Sequence, residues 1–231
     1  MKKVEDLVAI IPARCGSKRV PQKNRIVIGD RSLLDRTVDC IESSGRIGRI
    51  ILSTDDTALA RDAAIYPNMR VADRPDHLAG DEATTEDVIR HLIRTENLAK
   101  STIVLLQLTS PFRIGEDIAA LLDEMRKTGA KSGVAVCRWR IPPSKPFGPV
   151  SNTHNLGRSP RIDYPAMREI HNNHWAINGA IYIFQADEFG RSGKLYDENS
   201  AIHVMPNWRS LDIDYEDDVF IAMAIAKARD L

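Results

Sequence analysis

The chain has 231 residues, enough for one α/β domain with a small appendage and a substantial core of its own. Lys plus Arg and Asp plus Glu both number 32, so the basic excess that a nucleic-acid partner calls for is missing, and the three cysteines, Cys15, Cys40 and Cys137, are too scattered and odd in number for a disulfide framework or a zinc site. Apolar stretches stay well short of membrane-spanning length and the charged start leads into only a short apolar run, so the chain is expected to be cytoplasmic, with neither nucleic acid nor membrane as partner.

Residues 7–12 form a continuous apolar run, which predicts a strand buried on both faces of a parallel sheet. A polar loop rich in basic residues follows at 13–24. Ser32, with Asp35 three positions on, opens a capping box for a helix carrying Leu34, Val38 and Ile41, and Gly45 stops it. Residues 49–53 read as the second strand, and Asp55 or Asp56 as the cap of a helix bearing Leu59, Ala60, Ala63 and Ala64. A third strand is expected at 69–72. Thr84 or Thr85 caps the next helix, with Val88, Ile89, Leu92 and Ile93 inward. A strand at 102–106, a helix at 118–125 and a strand at 133–136 continue the alternation, the pattern of a doubly wound, mostly parallel, Rossmann-like α/β fold. In such folds ligands bind beyond the carboxyl ends of the strands, where the loops at 13–24, 54–56 and 107–113 should share one edge.

Between 138 and 176 the character changes. Pro142, Pro143, Pro146, Pro149, Pro160 and Pro165 break any alternation, and Trp139 and Trp175 flank them. This stretch reads as an excursion from a single domain spanning 1–231, an extended hairpin or arm. A strand returns at 179–184, and a closing helix at 217–229 carries Val219, Ile221, Ala222, Ala224 and Ile225.

Charge is uneven along this frame. Seven basic residues against two acids fall within the first 25 positions, and five acids without a base fall at 210–218. Two such ends suit a site that holds polyphosphate and metal together; they equally suit two solvated surface stretches. Residues 11–24 read IPARCGSKRVPQKN. Gly16 permits close backbone approach to a ligand, Ser17 brings a hydroxyl, and Arg14, Lys18, Arg19 and Lys23 bring cations, with arginine fitted to bidentate phosphate contacts. The loop matches neither a Walker A nor a GxGxxG pattern, so it is a phosphate cradle of another kind or an exposed basic turn. In the acidic stretch SLDIDYEDD, Asp212 and Asp214 fall on the same side of an extended segment and can hold a hard cation such as Mg²⁺, whereas Asp217 and Asp218 suit the start of the closing helix. Helix capping with solvent exposure is the other reading of the cluster.

Six stretches in order resemble one family. IPARCGSKRVPQKN is similar to the N-terminal signature of N-acylneuraminate (sialic acid) cytidylyltransferases, the CMP-nonulosonic acid synthetases, and it is followed by LSTDD at 52–56, RPDHLAGDEATTEDV at 74–88, LLQLTSPFR at 105–113, NGAIYIF at 178–184 and LDID at 211–214. The resemblance implies transfer of CMP from CTP to a nine-carbon 2-keto sugar acid, with release of pyrophosphate. It implies that Arg14, Ser17 and Lys23 contact the triphosphate, and that Gly16, Lys18, Asn24, Arg74 and Thr84 or Thr85 complete the nucleotide pocket. Gln107, with Thr109, Ser110 and Asn178 from the matching stretches, would line the sugar side, and Asp212 and Asp214 would hold Mg²⁺. Arg14, Lys23, Asp212 and Asp214 are thus the catalytic candidates. A homodimer is implied as well, with 138–176 as its protruding element.

Two departures stand out. Cys15 replaces the family's usual glycine, and RIDYPAMREIHNNHWAI, with His171 and His174, stands where sialic acid enzymes carry an Arg-Gln type of stretch, so the sugar could be sialic, pseudaminic, legionaminic or another acid. Rival readings are a Kdo-type or GTP-using enzyme of the same fold, a nucleotide-sugar-dependent glycosyltransferase, and a nucleotide-sensing module without turnover. Lys23-Asn24 speaks against the Kdo type, which usually has Lys-Pro there, and the C-terminal place of Asp212-Ile213-Asp214 speaks against a glycosyltransferase DxD.

Overall fold

The computed structural model describes residues 6–138, 147–149, 156–158 and 175–231. Strand β1 (Leu7–Pro12) is buried from Leu7 to Ile11 and lies at the heart of a seven-stranded sheet. Its side chains alternate between two cores: Leu7, Ala9 and Ile11 join one, Val8 and Ile10 the other. Both faces of the sheet are therefore covered, as the unbroken apolar run predicts.

The chain then builds outward from β1. A short hairpin of β2 (Val27–Ile28) and β3 (Arg31–Ser32) leads into α1 (Leu33–Ser43). Ser32 Oγ accepts from the Asp35 amide at 3.0 Å while Asp35 accepts from the Ser32 amide at 3.1 Å, the expected capping box. Next come β4 (Arg49–Thr54), α2 (Thr57–Ala63) capped by Asp56, β5 (Met69–Asp73), a single turn α3 (Asp76–Ala79), and α4 (Thr85–Thr95). Of the two threonines, Thr84 caps α4, in a second reciprocal box with Asp87. β6 (Thr102–Leu105), α5 (Gly115–Thr128) and β7 (Ser132–Arg138) follow, and Phe147–Pro149 (β8) pairs antiparallel with Leu156–Arg158 (β9) as a separate ribbon. The remainder of the expected 138–176 arm, with His171 and His174, lies outside the described residues. The chain closes with β10 (Trp175–Gln185), α6 (Ala186–Ser192), β11 (Ala201–Val204), a 3₁₀ turn at Asn207–Ser210 and α7 (Glu216–Arg229).

The strand order is β11-β7-β10-β6-β1-β4-β5. All neighbouring pairs are parallel except those of β10, which runs against both β6 and β7. Helices α1, α2, α5 and α7 pack on one face and α3, α4 and α6 on the other, so the fold is doubly wound and mostly parallel. Succession leaves β1 toward β4 and β5 and then resumes on its other flank with β6. That reversal opens a crevice between the loops after β1 and β6. None of the described helices is long and apolar enough to cross a membrane.

Some elements exceed the reading of the sequence. β10 begins at Trp175 rather than 179, because a bulge between Ile177 and Tyr182 breaks its register, and Gly179 takes φ +75° there. Close helix packing also depends on one glycine: a Cβ on Gly115, at the start of α5, would stand 2.3 Å from the Ser44 amide nitrogen at the end of α1. Gly115→Ala is expected to push the two helices apart and lower stability by about 1–3 kcal/mol, read as a lower urea midpoint with little change in m-value.

Candidate active site

The crevice holds a cleft of about 470 Å³, with walls from the loops after β1, β5 and β6 and the start of α4. The β1 loop is folded by short-range bonds. The Ala13 amide bonds the Ser53 carbonyl at 2.9 Å, Cys15 donates its amide to Asp55 Oδ1 at 2.8 Å, and Asn24 Nδ2 reaches back to the Arg14 carbonyl at 2.9 Å. Asp55 and Asp56 of LSTDD thus divide their work, one shaping the basic loop and the other capping α2. Cys15 is not in the left-handed region, so its departure from glycine carries no strain of that kind, and its thiol is exposed.

Of the residues singled out in the sequence, Arg14, Ser17, Lys18, Lys23, Asn24, Arg74, Thr85, Gln107 and Thr109 line the cleft. Thr84 serves the helix cap instead. Gly16 has open space where a side chain would stand. Ser110 is buried beneath the surface, and the Asn178 amide is taken by Ser210 Oγ at 2.9 Å and the Ala180 N–H at 3.1 Å.

The acidic segment joins the same cleft. Lys23 Nζ stands 3.0 Å from Asp214 Oδ1, and Arg19 stands 3.8 Å from Asp214 Oδ2 with its guanidinium 5.0 Å from the Tyr215 ring centroid. The Ile213 amide donates to the Thr109 carbonyl at 2.8 Å, and the Thr109 hydroxyl donates to the Asp212 carboxylate. Asp218 accepts from the amides of Asp214 and Tyr215 at 2.9 and 2.8 Å, ordering the entry to α7. The basic start and the acidic end therefore form one wall.

Sequence reasoning missed two charged groups. Asp81 binds Arg14 at 2.7 Å and also Lys18, and these two cations hold its carboxyl below the ordinary range. Its place within RPDHLAGD was the available signal. Arg113 is buried under the cleft floor, donating to the Gln107 carbonyl at 2.5 Å and to Thr37 Oγ1 at 2.7 Å. It follows an apolar phenylalanine in LTSPFR and gives no periodic sign of its role.

Asp212 is shifted in the opposite sense to Asp81. Burial pushes its carboxyl above the ordinary range, with Asp214 and Asp218 adding to the shift and the Thr109 bond and Lys23 opposing it. Its Oδ1 is buried without a hydrogen-bond partner. An orphaned carboxylate oxygen beside a second carboxylate suits a hard cation that takes oxygen ligands. Among the described residues no group of three His, Cys, Asp or Glu side chains is placed to cage a metal. The donor set therefore fits an ion that takes one or two carboxylates and completes its shell with phosphate and water, as Mg²⁺ does.

The chain is similar to known proteins in sequence and in fold. Residues 8–156 match the family model described as cytidylyltransferase. The N-acylneuraminate cytidylyltransferase of Escherichia coli O18:K1:H7 (strain RS218 / NMEC) is 29% identical over 224 residues, 96% of this chain and 52% of the relative. The CMP-N,N'-diacetyllegionaminic acid synthase of Legionella pneumophila subsp. pneumophila is 30% identical over 215 residues, 90% of each chain. This chain spans about half the length of the N-acylneuraminate relatives it matches. A solved CMP:2-keto-3-deoxy-manno-octonic acid synthetase complexed with CTP superposes with a TM-score of 0.69 at 17% identity, covering 98% of this chain and 100% of the other, a likeness of fold.

The raised carboxyl of Asp212 has a consequence for stability. An acid whose folded-state pKa exceeds its unfolded one costs the fold nothing below the unfolded value and opposes it increasingly as pH rises from there through the folded value. Asp212→Asn is therefore expected to unfold at a higher temperature than the parent at pH 7–8. The advantage should fade as pH falls toward the ordinary carboxylate range, about pH 4. Thermal unfolding of both proteins across that range checks the sign.

Proposed function

The chain belongs to the cytidylyltransferase family, and on that footing we propose that it transfers CMP from CTP to the anomeric hydroxyl of a sialic-acid-like, nine-carbon 2-keto sugar acid, releasing pyrophosphate. The observation that carries this reading is the junction of the two chain ends, Lys23 against Asp214 at 3.0 Å, in a cleft that also presents Arg14 and Ser17. The relatives named for N-acylneuraminate and legionaminic acid support the choice of acceptor class.

Nucleotidyl transfer requires in-line placement of the attacking hydroxyl and neutralisation of charge on the phosphate oxygens. Arg14 and Lys18 are placed to exchange their hold on Asp81 for a polyphosphate, whose larger charge favours the swap. Lys23 is only 18% exposed and held by Asp214, so its ammonium meets the phosphates already oriented. Arg74, buried and fixed by Nε donation to the Leu78 carbonyl at 2.7 Å, together with Asn24 and Thr85, forms the nucleotide side. Gln107 faces the sugar side, on a loop that Arg113 secures from below. Asp212 and Asp214 are the proposed holders of Mg²⁺. When bound, that ion lowers the pKa of the attacking hydroxyl and offsets charge on the leaving pyrophosphate.

A homodimer through 138–176 belongs to the same proposal. Trp175 and Ile177 at the start of β10, and Ile202 and Val204 on β11 across β7, are exposed apolar side chains, and they give such an interface something to bury.

The deciding assay incubates purified protein with Mg²⁺, CTP or GTP, and a panel of sialic, legionaminic, pseudaminic and Kdo-type acids, and measures pyrophosphate. Turnover is expected with one CTP–nonulosonic acid pair; release of a nucleoside diphosphate, or binding of CTP without turnover, would overturn the proposal. Asp212→Ala is expected to lower kcat by at least about a hundredfold. Arg14→Ala should raise KM for CTP by roughly ten- to a hundredfold, the loss of a charge-assisted bond to phosphate.

A further inference from the structure

The residues from Leu211 to Asp214 belong to neither strand nor helix, so no ladder of backbone bonds sets their position. Side chains on the preceding 3₁₀ turn do much of this work. Arg209, three positions before Asp212, donates to Asp117 Oδ1 at 2.8 Å. Both side chains are withdrawn from water, Asp117 at 2% exposure and Arg209 at 14%. His203 Nε2 approaches the same oxygen at 2.9 Å from β11, and the Ile114 amide donates to Asp117 Oδ2 at 3.0 Å. Trp208 of the turn packs on Phe112 with ring centroids 6.0 Å apart. Asp117 thus joins the start of α5, the strand β11 and the turn that delivers the acids. It also lies directly after the 107–113 loop, which contributes Gln107 and Thr109 to the cleft.

A buried ion pair of this kind adds little net stability over an apolar pair of the same shape, but it admits a single geometry. Arg209 can meet the Asp117 carboxylate only with the turn in its present place. The opposite side of the segment is held by the Asn178 amide on Ser210 and by the Ile213 amide on Thr109. Between these anchors the Asp212 carboxylate is fixed with one buried oxygen unpartnered, before any cation arrives to satisfy it.

We infer that Asp117 is a positioning residue: through Arg209 it fixes the segment that bears Asp212 and Asp214 and thereby sets the cation affinity of the cleft. The inference rests on the assignment of these two acids as cation holders. Mn²⁺ serves as the probe, its free concentration followed by electron paramagnetic resonance during titration in the presence of CTP, with unfolding midpoints measured alongside. The parent, Asp117→Asn, Arg209→Met, the double variant and Asp212→Ala are compared. Each single clamp variant is expected to weaken Mn²⁺ binding about tenfold, as loss of an outer partner does at metal sites, and the double variant to weaken it no further, since the two residues act as one unit. Unchanged Mn²⁺ affinity in either folded single variant, or additive losses in the double, would overturn the inference. Should Asp117→Asn fail to fold, Arg209→Lys decides, since it keeps the charge but loses the fork: weaker Mn²⁺ binding at an unchanged unfolding midpoint supports the clamp, and unchanged binding refutes it. If the parent binds no Mn²⁺, or Asp212→Ala binds it as well as the parent does, the assignment of the acids themselves fails.

Discussion

The contact between Lys23 and Asp214 closes a separation of 191 positions, and the candidate chemistry follows from that closure. Neither side chain could be brought there by local folding. Lys23 arrives on the loop that leaves the carboxyl end of β1. Asp214 arrives because the chain, after β11 and its 3₁₀ turn, is stitched by the Ile213 amide to the loop that leaves β6. These two strands are neighbours in the sheet, so the convergence of the ends is a property of strand order. The same arrangement answers the balance of charge. Arg14, Lys18, Arg19 and Lys23 crowd one loop, and Asp81 and Asp214 sit within ion-pair distance of them, so a concentration of cations suited to polyanions exists without a basic molecule around it.

Much of this was legible in the residues. The run LVAIIP suited a strand covered on both faces, Ser32-Asp35 announced a helix start that the structure realises as a reciprocal cap, and Thr84 or Thr85 announced another, of which Thr84 makes the cap. The cations of 14–23 and the acids of 210–218 declared the two halves of the cleft, though pattern alone could not say that they meet. What stayed hidden has physical causes. β11 is a four-residue edge strand and α3 a single turn, too short to impose a period. The reversal of β10 leaves no mark on its composition, because a strand buried on both faces is apolar whichever way it runs. Asp81, Arg113 and Asp117 escaped notice because nothing in their immediate sequence names partners that lie 67, 76 and 92 positions away. The resemblance located Asn178 within a matching stretch, but only coordinates show its amide consumed by Ser210 and Ala180.

Among the described residues, the buried polar atoms without partners are not spread evenly. Of five, Ser110 Oγ, Arg113 Nε, Arg209 Nε and Asp212 Oδ1 belong to the floor and the acid wall of the cleft, and the fifth, Arg36 Nε, stands on α1. Such atoms cost stability wherever they occur. Their concentration here marks the region where packing was subordinated to holding charge in place.

The backward course of β10 bears on how such a molecule can diversify. Because Trp175 pairs with Arg138, the chain leaves the sheet and rejoins it at the same rim, the one that carries the cleft. Both anchor points lie on the far side of β6 from the loop after β1. Insertions or replacements between those two anchor points leave the loop after β1 in place, so that under the proposed function one scaffold can carry a fixed reading head and an interchangeable visor.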